Sequence, residues 1–192
     1  MFDWLWRLLN YILSPFKTPT ILIVGPPGSG KTTLLHMVKT GRFITFESTK
    51  SYCKETLSFE QSNVTFIDLG DSYKGFESLE EFSQNVSGIV LVVDASDSDS
   101  VNNAKKYLDS IYNLQVYKTK NIPVLIFGNK QDVVGCISRE ELKERLNIVE
   151  KKSKHEKVNP ETTRVQVQMM SAKQNFGYQL GLRWLVSKAR TV

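Results

Sequence analysis

The stretch Ile21-Leu22-Ile23-Val24-Gly25-Pro26-Pro27-Gly28-Ser29-Gly30-Lys31-Thr32-Thr33 governs the reading of everything around it, because an apolar run stops in a glycine-rich turn of the form GxxxxGK[S/T]. The physics of that pattern is specific. A buried strand ends, glycines let backbone N–H groups turn toward phosphate oxygens, and a helix starts with the positive end of its dipole facing them. In this arrangement Lys31 reaches the β- and γ-phosphates and Thr32 places its hydroxyl on Mg²⁺. Gly25, Gly28, Ser29, Gly30 and Thr33 complete the phosphate-binding set. Leu34, Leu35 and Val38 continue as the apolar side of the helix.

Beyond this turn, short β-branched runs end in polar residues or glycine: Val64-Thr65-Phe66-Ile67 before Asp68, Ile89-Val90-Leu91-Val92-Val93 before Asp94, and Val124-Leu125-Ile126-Phe127 before Gly128. These predict buried strands of a largely parallel sheet. Thr56 to Phe59 alternates like a half-exposed edge strand, and Val165, Val167 and Met169 form the last one. Val101, Ala104, Leu108 and Ile111 keep helical spacing, Ser138 with Glu141 reads as a helix cap, and Leu182, Leu185, Val186 and Ala189 line the face of a closing helix. The expected architecture is α/β: a mostly parallel six-stranded sheet with helices on both faces. Gly41 to Lys54 reads as a polar, irregular loop, and Glu150 to Glu161 as a charged, exposed one.

A chain of 192 residues suits one domain, and 41% hydrophobic with 23% charged residues is ordinary for a soluble globular protein. The net charge of +5 is modest and spread along the chain, which gives little support to nucleic-acid binding and is compatible with an anionic membrane surface. Cys53 and Cys136 have no metal-ligand spacing, so free thiols in a reducing compartment are expected.

Residues 1–17, MFDWLWRLLNYILSPFK, place Asp3, Arg7, Asn10, Ser14 and Lys17 on one helical stripe and bulky apolar residues between them. That is the profile of a helix lying in a bilayer interface, too short to span one. Packing of the same face on the protein's own core is the alternative. The domain organisation is then an amphipathic segment, 1–17, followed by a nucleotide-binding domain, 18–192.

Gly128-Asn129-Lys130-Gln131-Asp132 bears on the base. It supplies an amide, an aliphatic stem ending in a cation, and a carboxylate able to accept hydrogen bonds from the ring N–H and exocyclic amine of guanine, a pairing adenine does not offer. Ser171-Ala172-Lys173, after the last strand, is positioned to bring backbone N–H groups to the base carbonyl.

In this order and spacing the motifs resemble the guanine-nucleotide signature of the Ras-like small GTPases. MFDWLW at 1–6, KTTLLHMVKTGRF at 31–43, SGIVLVVDASD at 87–97 and LRWL at 182–185 are similar to the Sar branch of the Arf family, the GTPases that start coat protein complex II assembly at the endoplasmic reticulum. The resemblance covers nearly the whole chain, with a short extra stretch near Tyr117 to Asn121. It implies GTP/GDP and Mg²⁺ as ligands, with Thr49 as the mobile-loop threonine that senses Mg²⁺ and the γ-phosphate, and Asp68 holding Mg²⁺ through water, beside Thr32. It further implies insertion of the N-terminal helix in the GTP state, with coat subunits, an exchange factor and a GTPase-activating protein as partners. The implied location is the cytoplasmic face of the endoplasmic reticulum membrane, with a cytosolic pool and an extension to the Golgi.

One departure stands out. The family pattern Asp-x-Gly-Gly followed by His or Gln is Asp68-Leu69-Gly70-Asp71-Ser72 here. Asp71 sets a carboxylate where a glycine N–H normally approaches the γ-phosphate, and Ser72 is too short for the water-orienting role, so no catalytic residue is assigned and intrinsic hydrolysis is expected to be very slow. A second reading is therefore a hydrolysis-deficient guanine-nucleotide scaffold, such as a subunit like the β-chain of the signal recognition particle receptor.

Overall fold

The computed structural model describes residues 18–47, 51–60, 62–71, 76–148 and 164–190. Six strands form one sheet: β1 (Thr20–Val24), β2 (Cys53–Phe59), β3 (Ser62–Asp68), β4 (Gly88–Asp94), β5 (Val124–Asn129) and β6 (Val165–Met169). Their spatial order is β2-β3-β1-β4-β5-β6, with β2 antiparallel to β3 and every other neighbouring pair parallel. Among the described residues the helices are α1 (Lys31–Thr40), α2 (Phe76–Ser83), α3 (Ser98–Asn113), α4 (Gln115–Lys120), α5 (Arg139–Arg145) and α6 (Tyr178–Ala189).

The two faces of the sheet follow from the period-two alternation of its central strands. In β1, Leu22 and Val24 point to one side and Ile21 and Ile23 to the other; in β4, Ile89, Leu91 and Val93 oppose Val90 and Val92. The first set packs on Leu79 of α2, Val101, Ala104 and Leu108 of α3, Val116 of α4 and Leu142 of α5. The second packs on Leu34, Leu35 and Met37 of α1 and on Tyr178, Leu182 and Leu185 of α6. Both faces are therefore covered, which is why the strands read as unbroken apolar runs.

Local signals set the helix boundaries. The Asp97 carboxylate caps α3 by accepting from the N–H groups of Asp99 and Ser100, and the Ser138 hydroxyl caps α5 by accepting from Glu141 N–H. Gly41, at φ 67°, ends α1 by returning its N–H to the Met37 carbonyl. Two boundaries differ from expectation. The edge strand begins at Cys53 rather than Thr56, because alternating half-burial lets Cys53 and Leu57 pack on the core while Glu55 pairs with Lys39 of α1. The extra stretch near Tyr117 is the short helix α4, anchored by buried Val116. No helix among the described residues is long and apolar enough to cross a membrane. The amphipathic segment 1–17, the charged loop around His155, Thr49 and Ser72 lie outside the described residues.

Candidate nucleotide-binding site

The carboxyl ends of β1, β3, β4 and β5 converge on a cleft of about 350 Å³ lined by Gly30, Lys31, Thr32, Asp71, Asn129 and Lys130, among others. This is where an open parallel sheet presents a ligand site. Two glycines make the loop possible. At Gly25, φ is +146° and a Cβ would lie 2.1 Å from the Val92 carbonyl oxygen, so only glycine lets the loop leave β1 against β4. At Gly30, φ is +99° and a Cβ would lie 2.4 Å from Asn129 Nδ2, so this glycine lets the loop approach the residue at the end of β5.

At the phosphate end, Lys31 opens α1 with only 3% of its side chain exposed. Its ammonium donates to the carbonyls of Gly25 at 3.1 Å and Pro26 at 3.0 Å, and to Asp71 Oδ1 at 2.6 Å. Loop closure by those two carbonyls holds the cation over the turn. Thr32 Oγ1 donates to Asp68 Oδ2 at 2.6 Å, and Gly70 N–H donates to Asp68 Oδ1 at 3.0 Å. Asp68 is fully buried at the end of β3, so its two oxygens tie α1 and the segment carrying Asp71 to the sheet.

The base end is a hydrogen-bonded lattice. Asn129 is buried at the end of β5; its Nδ2 donates to the Ser29 carbonyl at 2.9 Å and its Oδ1 accepts from Ala172 N–H at 3.2 Å. One side chain therefore links the phosphate loop, β5 and the turn after β6. The Ala172 N–H, which the sequence aims at the base carbonyl, is engaged with Asn129 in this structure. Ser171 Oγ donates to Asp132 Oδ1 at 2.5 Å, and exposed Lys173 lies 3.9 Å from Asp132 Oδ2. Lys130, at φ 65°, turns its Nζ to within 2.6 Å of Asp94 Oδ2. Burial alone would raise the Asp94 carboxyl, but hydrogen bonds from Lys130 and Ser96 outweigh it and hold the group below the usual carboxylate range.

Gly28, Gly30, Lys31, Thr32, Thr33, Asn129, Lys130, Asp132 and Lys173 all line the one cleft; Gly25, Ser29, Asp68, Ser171 and Ala172 stand behind it as partners. The polar reading of Gly41 to Lys54 passes over Phe43 and Phe46, which line the cleft while still 40% and 45% exposed. Their signal is the short run Phe43-Ile44-Thr45-Phe46 inside a largely polar stretch. The sequence marks Asp94 only as a strand end, although its charge is what positions Lys130.

The donor set fits a nucleotide with Mg²⁺. The described residues contain no cluster of three or more His, Cys, Asp or Glu able to hold a metal by themselves. Thr32 and Asp68 supply one hydroxyl and one carboxylate, which suits an ion that keeps waters and takes its remaining ligands from phosphates. Lys31, Thr32 and Asp68 would hold the phosphates and the ion; Asn129 and Asp132 would hold the base.

Residues 5–189 match the profile of the ADP-ribosylation factor family. The chain belongs to that family. Its members bind GTP or GDP with Mg²⁺. ADP-ribosylation factor-like protein 1 of Saccharomyces cerevisiae is 32% identical over 154 residues, spanning 80% of this chain and 79% of that protein. The structure of the Arl6 BBS3 small GTPase from Trypanosoma brucei, which carries the nucleotide analogue GppNp, matches with a TM-score of 0.76 at 24% identity, over 91% of this chain and 99% of that one. That likeness establishes the Ras-like GTPase fold. Neither relative bears the Sar designation, so Arf-family membership is as far as these comparisons reach.

Proposed function

We propose that this protein is a guanine-nucleotide-binding switch of the Arf family that attaches to a membrane through residues 1–17 and, as a Sar-type member, recruits coat protein complex II at the endoplasmic reticulum. The observation that carries the nucleotide part is Asn129, whose side chain bonds both the phosphate loop and the turn at Ala172. Base selection and phosphate grip are thereby one rigid unit. The membrane part is supported by the stripe of polar residues in 1–17, and the Sar assignment by the four sequence stretches similar to that branch.

Equilibrium binding tests the first part: GDP is expected to bind at least about a hundredfold more tightly than ADP, since buried groups that pair with guanine are left unpaired by adenine. Equal binding would remove the guanine reading. Flotation with liposomes, with and without residues 1–17, tests attachment; recovery of the truncated chain at the same level as the full one would remove that reading. Recruitment of coat protein complex II subunits to endoplasmic reticulum membranes separates the Sar assignment from other Arf-family roles.

A second reading, a guanine-nucleotide scaffold that scarcely hydrolyses GTP, is favoured by the ion pair of Asp71 with the phosphate-loop lysine. Multiple-turnover phosphate release decides it. The double variant Asp71→Gly, Ser72→His should exceed the native rate by about tenfold or more, following the contribution expected of a positioned water. A native rate that the variant does not exceed would show the switch to be undamaged.

A further inference from the structure

Asp71 does more than repel an incoming phosphate: it already binds the cation that would receive one. Its carboxylate lies 2.6 Å from Lys31 Nζ, with the lysine side chain 3% exposed and the aspartate 15% exposed. A pair this poorly hydrated is screened far less than a surface pair. Its position is also held from behind, because Gly70, at φ 65°, donates its N–H to Asp68 Oδ1 at the end of β3. The ammonium also donates to the Gly25 and Pro26 carbonyls, which belong to the loop itself. Asp71 is thus the acceptor on the cleft side, and it lines the same cleft as Thr32 and Gly30.

We propose that Asp71 is a specificity-determining residue that occupies, with its own carboxylate, the anion position on Lys31 used by a third phosphate, so that the site selects nucleoside diphosphate over triphosphate. The inference rests on the guanine-nucleotide reading and adds to it which phosphorylation state the site prefers. A diphosphate leaves the Lys31–Asp71 pair in place and rests its terminal phosphate on the backbone N–H groups at the start of α1. A triphosphate has to displace Asp71 from Lys31 and then tolerate that displaced negative charge beside its outermost phosphate. Both effects act against the triphosphate and neither acts on the base, which is held at the far end by Asn129 and Asp132.

The test is the ratio of affinities for a non-hydrolysable GTP analogue and GDP, by calorimetry in Mg²⁺ buffer, for the native chain, Asp71→Asn and Asp71→Gly. A ratio is chosen because a merely structural role for the ion pair would weaken both ligands together. The native chain is expected to prefer GDP by at least about tenfold, the scale of one uncompensated like-charge contact in a partly screened site. Both variants should gain about tenfold or more for the triphosphate analogue and change by less than about threefold for GDP. Asp71→Asn keeps the size of the side chain, so the result does not depend on the glycine variant folding well. If all three proteins bind GDP but share one ratio, the selectivity inference is overturned while the guanine reading stands. If none binds GDP, both fail. If native protein already favours the triphosphate analogue, Asp71 does not act as a competitor for Lys31 and the inference is wrong.

Discussion

The two ends of the cleft are built from different materials. The base end is a lattice of buried hydrogen bonds centred on Asn129, in which β5, the phosphate loop and the turn after β6 satisfy one another. The phosphate end is held by charge: Lys31 to Asp71 and, beside it, Thr32 to Asp68. Neutral hydrogen bonds fix geometry without opposing a ligand whose charge is elsewhere, whereas an internal ion pair occupies the group that the ligand needs. Recognition of the base is therefore preorganised, and recognition of the outermost phosphate is contested from within.

That contrast assumes a common frame under both ends, and Gly25 is the residue on which the frame depends. Gly25→Ala should therefore have a larger effect than a change confined to either end. Its Cβ would sit 2.1 Å from a backbone carbonyl of β4, at a φ of +146° that alanine rarely adopts. Overpacking and backbone strain together should cost about 3 kcal/mol or more, read as a drop in the urea midpoint and loss of nucleotide binding at both ends. A stable variant that still binds GDP would mean that the loop can leave β1 by another path, and that the two ends are less rigidly joined than the geometry indicates.

Asn129→Ala breaks the base end and its tie to the phosphate loop, and leaves the ion pair at the phosphate end in place. It removes the bond to the Ser29 carbonyl and the acceptor for Ala172 N–H, both in buried surroundings, so a loss of about 2 kcal/mol in unfolding free energy is expected. GDP affinity should fall by at least about tenfold, with the Lys31–Asp71 pair untouched. The informative comparison is with Asp71→Asn. If the two ends are independent, the double variant should show the two separate changes multiplied; departure from that product would reveal coupling through Ser29 and the loop.

The frame and the base end are legible in the sequence, and the character of the phosphate end is hidden there. Unbroken apolar runs such as Ile89 to Val93 announce strands covered on both faces, and Ser138 with Glu141 announces a cap, because each signal is local. The substitution at Asp71 is equally visible, and its sign can be argued. Its partner cannot: Lys31 is 40 positions away, and only the convergence of β1 and β3 brings the two together. The same holds for Lys130 with Asp94, which become neighbours through the pairing of β4 with β5. Phe43 and Phe46 escape for another reason, since they occupy no regular element and have no periodicity to read.

The finest test of the contrast concerns charge at the base end, where Asp94 holds Lys130. The Asp94 carboxyl lies below its ordinary value of 3.8 in the folded chain, burial being outweighed by the Lys130 and Ser96 hydrogen bonds. Between that lowered value and the ordinary one, the unfolded chain binds more protons than the folded one, so stability rises with pH across the window. The contribution is fully present above the unfolded value and is lost as pH falls through the folded one. It should be small, below about 1 kcal/mol, because the Lys130 side chain is 39% exposed and its attraction is screened. Urea midpoints of native protein and Asp94→Asn, followed from pH 7 down to about 3, should differ slightly at neutral pH and converge on acidification. A difference that stays constant across the range would assign it to pH-independent packing rather than to charge, because the asparagine oxygen can still accept from Ser96. The Lys130–Asp94 charge pair would then add nothing measurable to the base end, and the contrast between its hydrogen-bonded lattice and the ion-paired phosphate end would be sharper.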